Sequence, residues 1–240
     1  MSSIDIPTRL SLTIALPVYN EPETIAELVR DSLAVLERAT TGFREVLIVD
    51  DGSAAPTAEL VRELAARPGV RFVTHPRNRG FAAVQRTCYR EARGDWVFLL
   101  PADGQIAPAV LFDLLPGCTT NSLILGVAAG EAIDRRFFSR LYHRLVRRLF
   151  SLPYGDFGAC LLVKRELATS VRSTAATPVA MTELVVEAHR RGVGVAEVAV
   201  QKTPRRFGRS KAARLWRTAP RTAWELAAVY WHTRTKRKPG

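Results

Sequence analysis

Short apolar runs alternate with amphipathic helical segments through the first half of the chain, and this alternation constrains the fold more than any other feature. Apolar runs without polar interruptions are typical of strands that are buried on both faces of a parallel sheet. The predicted strands are LSLTIALP (10–17), EVLIVDD (45–51), VRFVTH (70–75) and DWVFLLP (95–101), and the predicted helices between them cover 21–39, 55–67 and 80–94. The sequence therefore predicts a doubly wound α/β domain, which would bind its ligands at the carboxyl ends of the strands.

The second half of the chain is less regular, but its hydrophobic periodicity predicts three further strands and three further helices. The strands are SLILGVAA (122–129), ACLLVKRE (159–166), which runs into a turn, and VGVAEVAVQ (193–201), and the helices cover 134–150, 181–192 and 213–234. Pro22 is expected near the start of the first helix and Gly94 at the end of the third. A kink or break is expected near Pro220 in the last helix.

The net charge of +12 is concentrated at one end of the chain. Residues 201–240 contain 12 Lys and Arg and one acid, Glu225, whereas the first 200 residues are almost neutral. The length of 240 residues and the hydrophobic content of 47% fit one large α/β domain or two small ones. A nearly neutral domain with a basic tail suits contact with anionic lipid headgroups or nucleic acid.

Targeting signals and cysteine pairs are not recognisable in the sequence. The start of the chain has no signal-peptide pattern, and no window approaches the roughly 18 uninterrupted apolar residues of a membrane-spanning helix. The three cysteines, Cys88, Cys118 and Cys160, lack CxxC spacing, which favours reduced thiols in the cytosol. We therefore expect a cytoplasmic protein that is soluble or bound to a surface.

Four polar motifs lie at or near predicted strand ends: PVYNE (17–21), VDDGS (49–53), NRG through PADGQ (78–105) and RRFGRSK (205–211). Acids at a strand end can accept hydrogen bonds from nucleobase N–H or ribose hydroxyl groups. Asp103 can bind a divalent cation that neutralises a diphosphate, and Arg or Lys can bind phosphate oxygens. Each motif alone could be a turn or a solvated loop, but their order along one sheet favours a nucleotide site.

These motifs resemble those of the family 2 glycosyltransferases, specifically of polyprenyl-phosphate sugar synthases similar to dolichol-phosphate mannosyltransferase. The matching strings are ALPVYNEPETI, VLIVDDGS, NRGFAAVQRT, ARGDWVFLLPADGQIAP and RRFGRSK, which lie within roughly residues 10–211. The resemblance implies a GT-A type fold, with a single catalytic domain over 1–211 and a basic amphipathic segment over 212–240. It also implies a nucleotide-sugar donor and inversion at the anomeric carbon.

The resemblance also assigns roles to individual residues. The implied donor-binding residues are Pro17, Tyr19, Glu21, Val49, Asp50, Asp51, Ala102, Asp103, Gln105, Arg205 and Lys211. Within that set, Asp103 and Gln105 match the metal and diphosphate motif, which implies Mg²⁺ or Mn²⁺. The implied catalytic residues are Asp103, Arg205, Lys211 and Arg140. The segment that contains Arg135, Arg136 and Arg140 looks like the arginine-bearing segment with which the family binds the acceptor phosphate.

The chain departs from the family pattern at two places. The family's metal motif usually begins with Asp, but here it begins with Pro101, so we expect a weakened metal site rather than none. The stretch DFGACLLVKRE (156–166) stands where relatives often have a Gly-rich turn followed by a longer apolar strand. This second difference would affect the acceptor side.

The acceptor is expected to be a phosphate. A hydroxyl acceptor needs a general base, but His75, His143, His189 and His232 all have ordinary sequence contexts, and Glu183 is a weak candidate. The arginine-rich helix over 134–150 and the aromatic residues of the basic tail suit a membrane interface. We therefore expect a peripheral enzyme at the cytoplasmic leaflet that uses a polyprenyl or dolichyl phosphate, with the tail or a membrane-protein partner as its anchor.

Three alternatives remain open at the level of sequence. The same fold could glycosylate a soluble hydroxyl acceptor, or it could bind a sugar nucleotide without turning it over. Binding of nucleic acid through the basic tail is disfavoured, because no base-reading motif is present and the first 200 residues are nearly neutral. The sequence does not distinguish a GDP-sugar from a UDP-sugar.

Overall fold

A computed structural model of the chain describes residues 9–129, 133–155, 157–173, 175–177, 179–204 and 215–235. At residues 129, 133–140, 215–218 and 235 it describes the backbone but not the side chains. Its strands are β1 (Leu12–Val18), β2 (Arg44–Asp50), β3 (Val70–Thr74), β4 (Trp96–Leu99), β5 (Leu123–Ala129), β6 (Cys160–Lys164) and β7 (Val195–Gln201). They form one seven-stranded sheet in the order β3-β2-β1-β4-β6-β5-β7. Strand β6 is antiparallel to both of its neighbours, and the other six strands run in one direction. The mostly parallel sheet that the sequence predicts is therefore confirmed.

Eight helices connect or follow these strands in the described part of the chain. They are α1 (Ile25–Ala39), α2 (Thr57–Leu64), α3 (Phe81–Glu91), α4 (Leu111–Leu114), α5 (Ile133–Phe150), α6 (Arg165–Ser170), α7 (Val179–Arg190) and α8 (Leu215–Thr235). None of these helices combines the length and the apolar character needed to cross a bilayer. Helix α8 packs against α7.

The core consists of two apolar layers, one on each face of the sheet. Neighbouring residues of β1 point in opposite directions, so that Ile14 packs in the layer with α1 and Ala15 packs in the layer with α3. The strands β1, β2 and β4 bury their residues on both faces, which explains why they appear in the sequence as continuous apolar runs, whereas most residues of the edge strands β3 and β7 are half-buried or exposed.

Four local predictions differ from the structure. Residues 22–24 form a turn, so Pro22 precedes α1 instead of lying in its first turn. Helix α3 ends at Glu91, because Gly94 already belongs to a close contact with the backbone of β1. The turn expected after β6 is the short helix α6. Helix α8 is helical on both sides of Pro220, which is exposed, so the break expected there is absent.

A buried polar network supports the sheet near the amino ends of its strands. The carboxylate of Glu45 accepts hydrogen bonds from the Thr13 hydroxyl at 2.9 Å, from Arg71 Nε at 3.1 Å and from the Arg93 backbone N–H at 2.8 Å. Because several partners satisfy this carboxylate, its burial is compatible with a stable fold. The network lies at the end of the sheet opposite to the predicted ligand edge, and its role is structural.

The three cysteines are free thiols, as the sequence predicts. Cys88 and Cys160 are buried in the core, and Cys118 is half-buried. Burial raises the pKa of the Cys160 thiol to about 12, so this thiol is protonated and unreactive at neutral pH.

Candidate active site

A cavity of about 400 Å³ opens at the carboxyl ends of β1, β2 and β4. It brings together residues from three of the four motifs that the sequence singles out. Its lining residues are Pro17, Val18, Tyr19, Glu21, Asp51, Asn78, Gly80, Phe81, Val84, Pro101, Ala102 and Asp103. This is the edge at which an open α/β sheet binds its ligands.

Hydrogen bonds between loops join the first two motifs. Asn20 adopts a left-handed backbone conformation with φ of 53°. Its backbone N–H donates to Ser53 Oγ at 3.0 Å, and its side-chain oxygen accepts from the Ala54 backbone N–H at 3.0 Å. Gly52 has φ of 70°, and a Cβ there would lie 2.7 Å from the Arg77 carbonyl carbon. The VDDGS turn therefore requires glycine at this position, both for its conformation and for the close approach of the neighbouring loop.

Asp51 is the acid of the second motif that faces the cavity, and it is only 2% exposed. Its two oxygens accept hydrogen bonds from the backbone N–H groups of Arg79 at 2.9 Å and Gly80 at 2.8 Å. His75 Nδ1 lies 2.7 Å from Asp51 Oδ1, and because a carboxylate can only accept, the imidazole is the donor. His75 Nε2 in turn lies 3.0 Å from the hydroxyl of Thr87.

This network leaves Asp51 able to bind a ligand. A carboxylate accepts about four hydrogen bonds, and three are occupied by the chain itself. Because Asp51 lines the cavity, a ligand N–H or hydroxyl there could use the remaining capacity. The other two residues predicted here, Val49 and Asp50, are buried behind the cavity, and Asp50 Oδ1 accepts from the Ser53 backbone N–H at 3.1 Å.

Reasoning from the sequence missed His75, which has an ordinary context when the chain is considered alone. The structure shows it 5% exposed, directly after β3, with its backbone N–H bonded to the carbonyl of Asp50 at 2.8 Å. The available signal was its position as the last residue of the predicted strand VRFVTH (70–75), which follows the VDDGS strand along the chain. Histidine at such a strand end can reach the acids of the adjacent strand.

The PADGQ turn is fixed to the start of α1. The hydroxyl of Thr24 donates to the Ala102 carbonyl at 2.5 Å. Asp103 lines the cavity, and its Oδ1 accepts from the Gln105 backbone N–H at 3.2 Å, which holds the carboxylate at the turn. Pro101 lines the cavity next to it, at the position where the resemblance expects a second acid.

Gln105 connects this turn to the chain that follows β7. Its side-chain Nε2 donates to the Thr203 carbonyl at 3.3 Å, and its carbonyl accepts from the Thr203 backbone N–H at 2.9 Å. The fourth motif begins two residues later, so the chain enters it beside the PADGQ turn. Arg205 and Lys211 themselves lie outside the residues that the structure describes, and so does the side chain of Arg140.

A divalent cation fits this site only through a small set of protein ligands. Within the described ranges, no group of three or more His, Cys, Asp or Glu side chains could hold a metal ion. Asp103 supplies one carboxylate at the cavity wall. Mg²⁺ is often bound by one or two carboxylates together with waters and substrate phosphates, and Asp103 meets that requirement.

Glu183, the weak candidate for a general base, lies away from this cavity. It lines a second, smaller cavity of about 200 Å³ together with Arg172, Glu225 and His232. Burial raises the pKa of Glu183, and its Oε2 has no hydrogen-bond partner among the described residues. Because Glu183 does not line the larger cavity, it is not placed to act on a ligand bound there.

Two helices leave large apolar side chains exposed. Leu141 and Leu145 of α5 are 57% and 54% exposed, and Trp224 and Trp231 of α8 are 71% and 67% exposed. We call these four residues the exposed apolar surface. The two helices meet where the Phe150 and Tyr230 rings pack edge to face, with centroids 6.0 Å apart. The apolar residues of α5 differ in exposure, since Val146 is fully buried whereas Leu141 and Leu145 face solvent.

Comparison with known families and proteins gives a consistent picture. The model of the family described as Glycosyl transferase family 2 matches residues 13–168, which is more than half of the chain. An undecaprenyl-phosphate 4-deoxy-4-formamido-L-arabinose transferase of Edwardsiella ictaluri is 30% identical over 166 residues, covering 67% of this chain and 51% of the relative. A protein of the same name from Pseudomonas aeruginosa is 33% identical over 174 residues, with coverages of 68% and 51%. The chain thus spans about half the length of the curated relatives it matches.

Solved structures share the fold. The glucosyl-3-phosphoglycerate synthase of Mycobacterium tuberculosis, crystallised with phosphoglyceric acid, has a TM-score of 0.72 at 19% identity, covering 92% of this chain and 80% of that one. A mannosyltransferase of Pyrobaculum calidifontis in complex with GDP-Man and Mn²⁺ has a TM-score of 0.68 at 20% identity, with coverages of 98% and 67%. These likenesses confirm the GT-A type fold that the sequence predicts.

Proposed function

The chain belongs to glycosyl transferase family 2, and on this basis we propose that it transfers a sugar from a GDP- or UDP-sugar to a polyprenyl phosphate. The observation that carries this proposal is the cavity at the carboxyl ends of β1, β2 and β4, which is lined by three separate motifs. The names of the curated relatives, which are undecaprenyl-phosphate sugar transferases, support the class of acceptor.

The donor would lie across the sheet edge, with its base near Asp51 and its diphosphate near Asp103. Asp51 is buried, is held by His75 and has remaining capacity to accept a hydrogen bond from a base N–H. Mg²⁺ or Mn²⁺ bound by Asp103 would neutralise the charge that develops on the departing nucleoside diphosphate. The metal-bound complex of the structurally similar mannosyltransferase supports this use of a divalent cation.

The positively charged residues of the family motif would supply the rest of the phosphate site. Arg205 and Lys211 would bind donor phosphates, and Arg140 would meet the acceptor phosphate. The contact between Gln105 and Thr203 supports the first part, because it brings the chain that leads to Arg205 beside the Asp103 turn.

A phosphate acceptor agrees with the chemistry of the cavity. Its described lining contains three acids, Glu21, Asp51 and Asp103, but no histidine. Asp51 already accepts three hydrogen bonds, Asp103 is assigned to the metal, and the family resemblance assigns Glu21 to the donor. A hydroxyl acceptor would need a general base to remove its proton, whereas a phosphate is already anionic at neutral pH. The site therefore favours an acceptor that needs no deprotonation.

The exposed apolar surface would bring the enzyme to its lipid substrate. Exposed Trp and Leu side chains on helices rich in Arg suit the headgroup region of a bilayer, where rings lie near the acyl chains and guanidinium groups meet lipid phosphates. The net charge of +11 over residues 201–240 adds attraction to anionic lipids. We propose that the protein acts on the cytoplasmic leaflet as a peripheral enzyme.

The experiment that tests the proposal measures release of nucleoside diphosphate from GDP- and UDP-sugars, with and without a polyprenyl phosphate, in Mn²⁺, Mg²⁺ or EDTA. We expect release that depends on the lipid and is lost in EDTA. Asp103→Ala should lower turnover on the order of 100-fold.

The matched control is Asp113→Ala, which removes an exposed carboxylate that does not line the cavity. This variant should keep wild-type activity. Release that is equally fast without lipid but increases with a soluble hydroxyl compound would point to a soluble acceptor. Tight binding of a donor with no release on any acceptor would point to a protein that only binds sugar nucleotides.

A further inference from the structure

Glu225 of α8 carries a buried carboxylate that binds the backbone of a neighbouring loop. It is the single acid in residues 201–240, and it is 4% exposed. Its oxygens accept hydrogen bonds from the backbone N–H groups of Ala176 at 3.0 Å and Thr177 at 3.1 Å, and from the Thr177 hydroxyl at 2.6 Å. Arg221, one helical turn earlier, donates from Nε at 3.0 Å.

A carboxylate in this position is not explained by packing alone. Leu226 and Val229, on the same side of α8, are buried and already supply apolar contact with the domain. Burying an acid beneath a helix raises its pKa, but the hydrogen bonds from Thr177 and the loop backbone outweigh this effect, so that the pKa of Glu225 is lowered. The group is therefore an anion at neutral pH, and it fixes the loop in one geometry.

The loop that Glu225 holds reaches the wall of the donor cavity. Arg86 of α3 donates from Nη1 to the Ala175 carbonyl at 2.6 Å. The carbonyl oxygen of Ala176 lies 4.0 Å from the position that a Cβ on Gly80 would occupy. Gly80 lines the cavity, and Asp51 binds its backbone N–H. Hydrogen bonds thus connect α8 to residues 175–177 and these residues to Arg86 of α3, and the carbonyl of Ala176 lies near Gly80, just before that helix.

We propose that Glu225 is a positioning residue for the donor site, because its hydrogen bonds hold residues 175–177 against α3, the helix whose first turn lines the donor cavity. The identity of the ligand rests on the proposed function, whereas the link between Glu225 and α3 does not depend on which ligand binds.

Hydrogen–deuterium exchange on the full chain tests the link without any ligand. Glu225→Ala should speed exchange at the amides of 176 and 177 and also at those of 79–84, on the order of tenfold, because these backbone groups lose their fixed partners or their support. Leu226→Ala is the matched control, since it removes buried contact of α8 but no hydrogen bond to the loop. It should speed exchange in α8 and leave 79–84 unchanged.

Calorimetric titration with GDP and UDP then tests the consequence for the donor site. Glu225→Ala should weaken binding of the preferred nucleotide on the order of tenfold, and Glu225→Gln, which keeps one acceptor oxygen, should show an intermediate loss. Leu226→Ala should bind as the wild type does. The proposal would be overturned if exchange at 79–84 were unchanged in Glu225→Ala. It would also be overturned if Glu225→Ala and Leu226→Ala weakened nucleotide binding equally. If the wild type binds neither nucleotide, the proposed function fails, and the exchange experiment still decides whether the link exists.

Discussion

Asp51 has two tasks in this structure, because one carboxylate organises a loop and also faces the cavity. Its oxygens hold the backbone of Arg79 and Gly80, and His75 holds Asp51 itself from behind. A ligand-binding side chain that is fixed in this way needs little reorganisation when a ligand arrives. The quality of donor binding should therefore depend on His75, although His75 does not line the cavity.

Replacing His75 should weaken donor binding through Asp51. In His75→Ala the Asp51 carboxylate loses a buried donor, and we expect the Kd of the preferred nucleoside diphosphate to rise on the order of tenfold. In His75→Asn the amide N–H can replace Nδ1, so binding should return to within about threefold of the wild type. Calorimetry measures the Kd of both variants, and an equal loss of affinity in the two would contradict a positioning role for His75.

Pro101 offers a gain-of-function test of the metal site. Pro101→Asp restores the first acid of the family motif at the cavity wall, and a second carboxylate should lower the Mn²⁺ concentration for half-maximal activity on the order of tenfold. Pro101→Ala controls for removal of the proline ring and should leave the metal requirement unchanged. An unaltered Mn²⁺ titration in Pro101→Asp would show that this position does not reach the metal.

At the scale of elements, the helices α5 and α8 carry the proposed contact with the membrane. Trp224→Ala together with Trp231→Ala should weaken binding to vesicles that contain anionic lipid on the order of tenfold, because two exposed aromatic anchors are lost. Phe72→Ala is the matched control, since Phe72 is an exposed aromatic residue on the edge strand β3. Vesicle co-sedimentation measures the difference, and equal effects of the two changes would argue against a specific surface.

The connection between α3 and β4 depends on Gly94. A Cβ at this position would lie 2.6 Å from the Leu12 carbonyl carbon and 2.6 Å from the Thr13 backbone nitrogen, so Gly94→Ala should cost about 1–3 kcal/mol of unfolding free energy. Gly155→Ala is a suitable comparison, because its nearest atom would be 3.7 Å away. Urea denaturation measures both, and a stability loss in Gly94→Ala no larger than in Gly155→Ala would contradict the close contact.

Sequence patterns predict the existence of these elements better than their ends and directions. The apolar runs locate all seven strands, and the pattern is clearest for β1, β2 and β4, whose residues are buried on both faces of the sheet. The same runs do not encode strand direction, so the antiparallel orientation of β6 was not predictable from them. Helix α6 and the uninterrupted course of α8 depend on packing, which overrides local signals such as Pro220.

In the candidate site, too, some features were predictable from the sequence and others were not. The sequence predicted Asp51 and Asp103 as site residues, and both line the cavity, because their motifs follow strands whose carboxyl ends share one edge of the sheet. It did not identify His75 or Glu225, because each acts through a contact between residues that are distant in the chain, at 24 residues for His75 with Asp51 and 48 for Glu225 with Thr177. Contacts of this kind are fixed by tertiary structure and leave no local pattern.

At the scale of the whole molecule, a nearly neutral stretch of 200 residues is followed by a basic segment that carries exposed aromatic residues. The cavity opens at one edge of the sheet, and Glu225 connects α8 to the loop at residues 175–177. This arrangement suits an enzyme that takes one substrate from water and the other from a lipid surface. The central claim is that the acceptor is a lipid phosphate.

The most direct test of that claim is to measure, by mass spectrometry, the masses of the lipids extracted after reaction with a donor and a polyprenyl phosphate. We predict a lipid product heavier than the polyprenyl phosphate by one sugar, formed by the wild type and absent with Asp103→Ala. The account would be contradicted if nucleoside diphosphate were released while the sugar appeared only in water-soluble products.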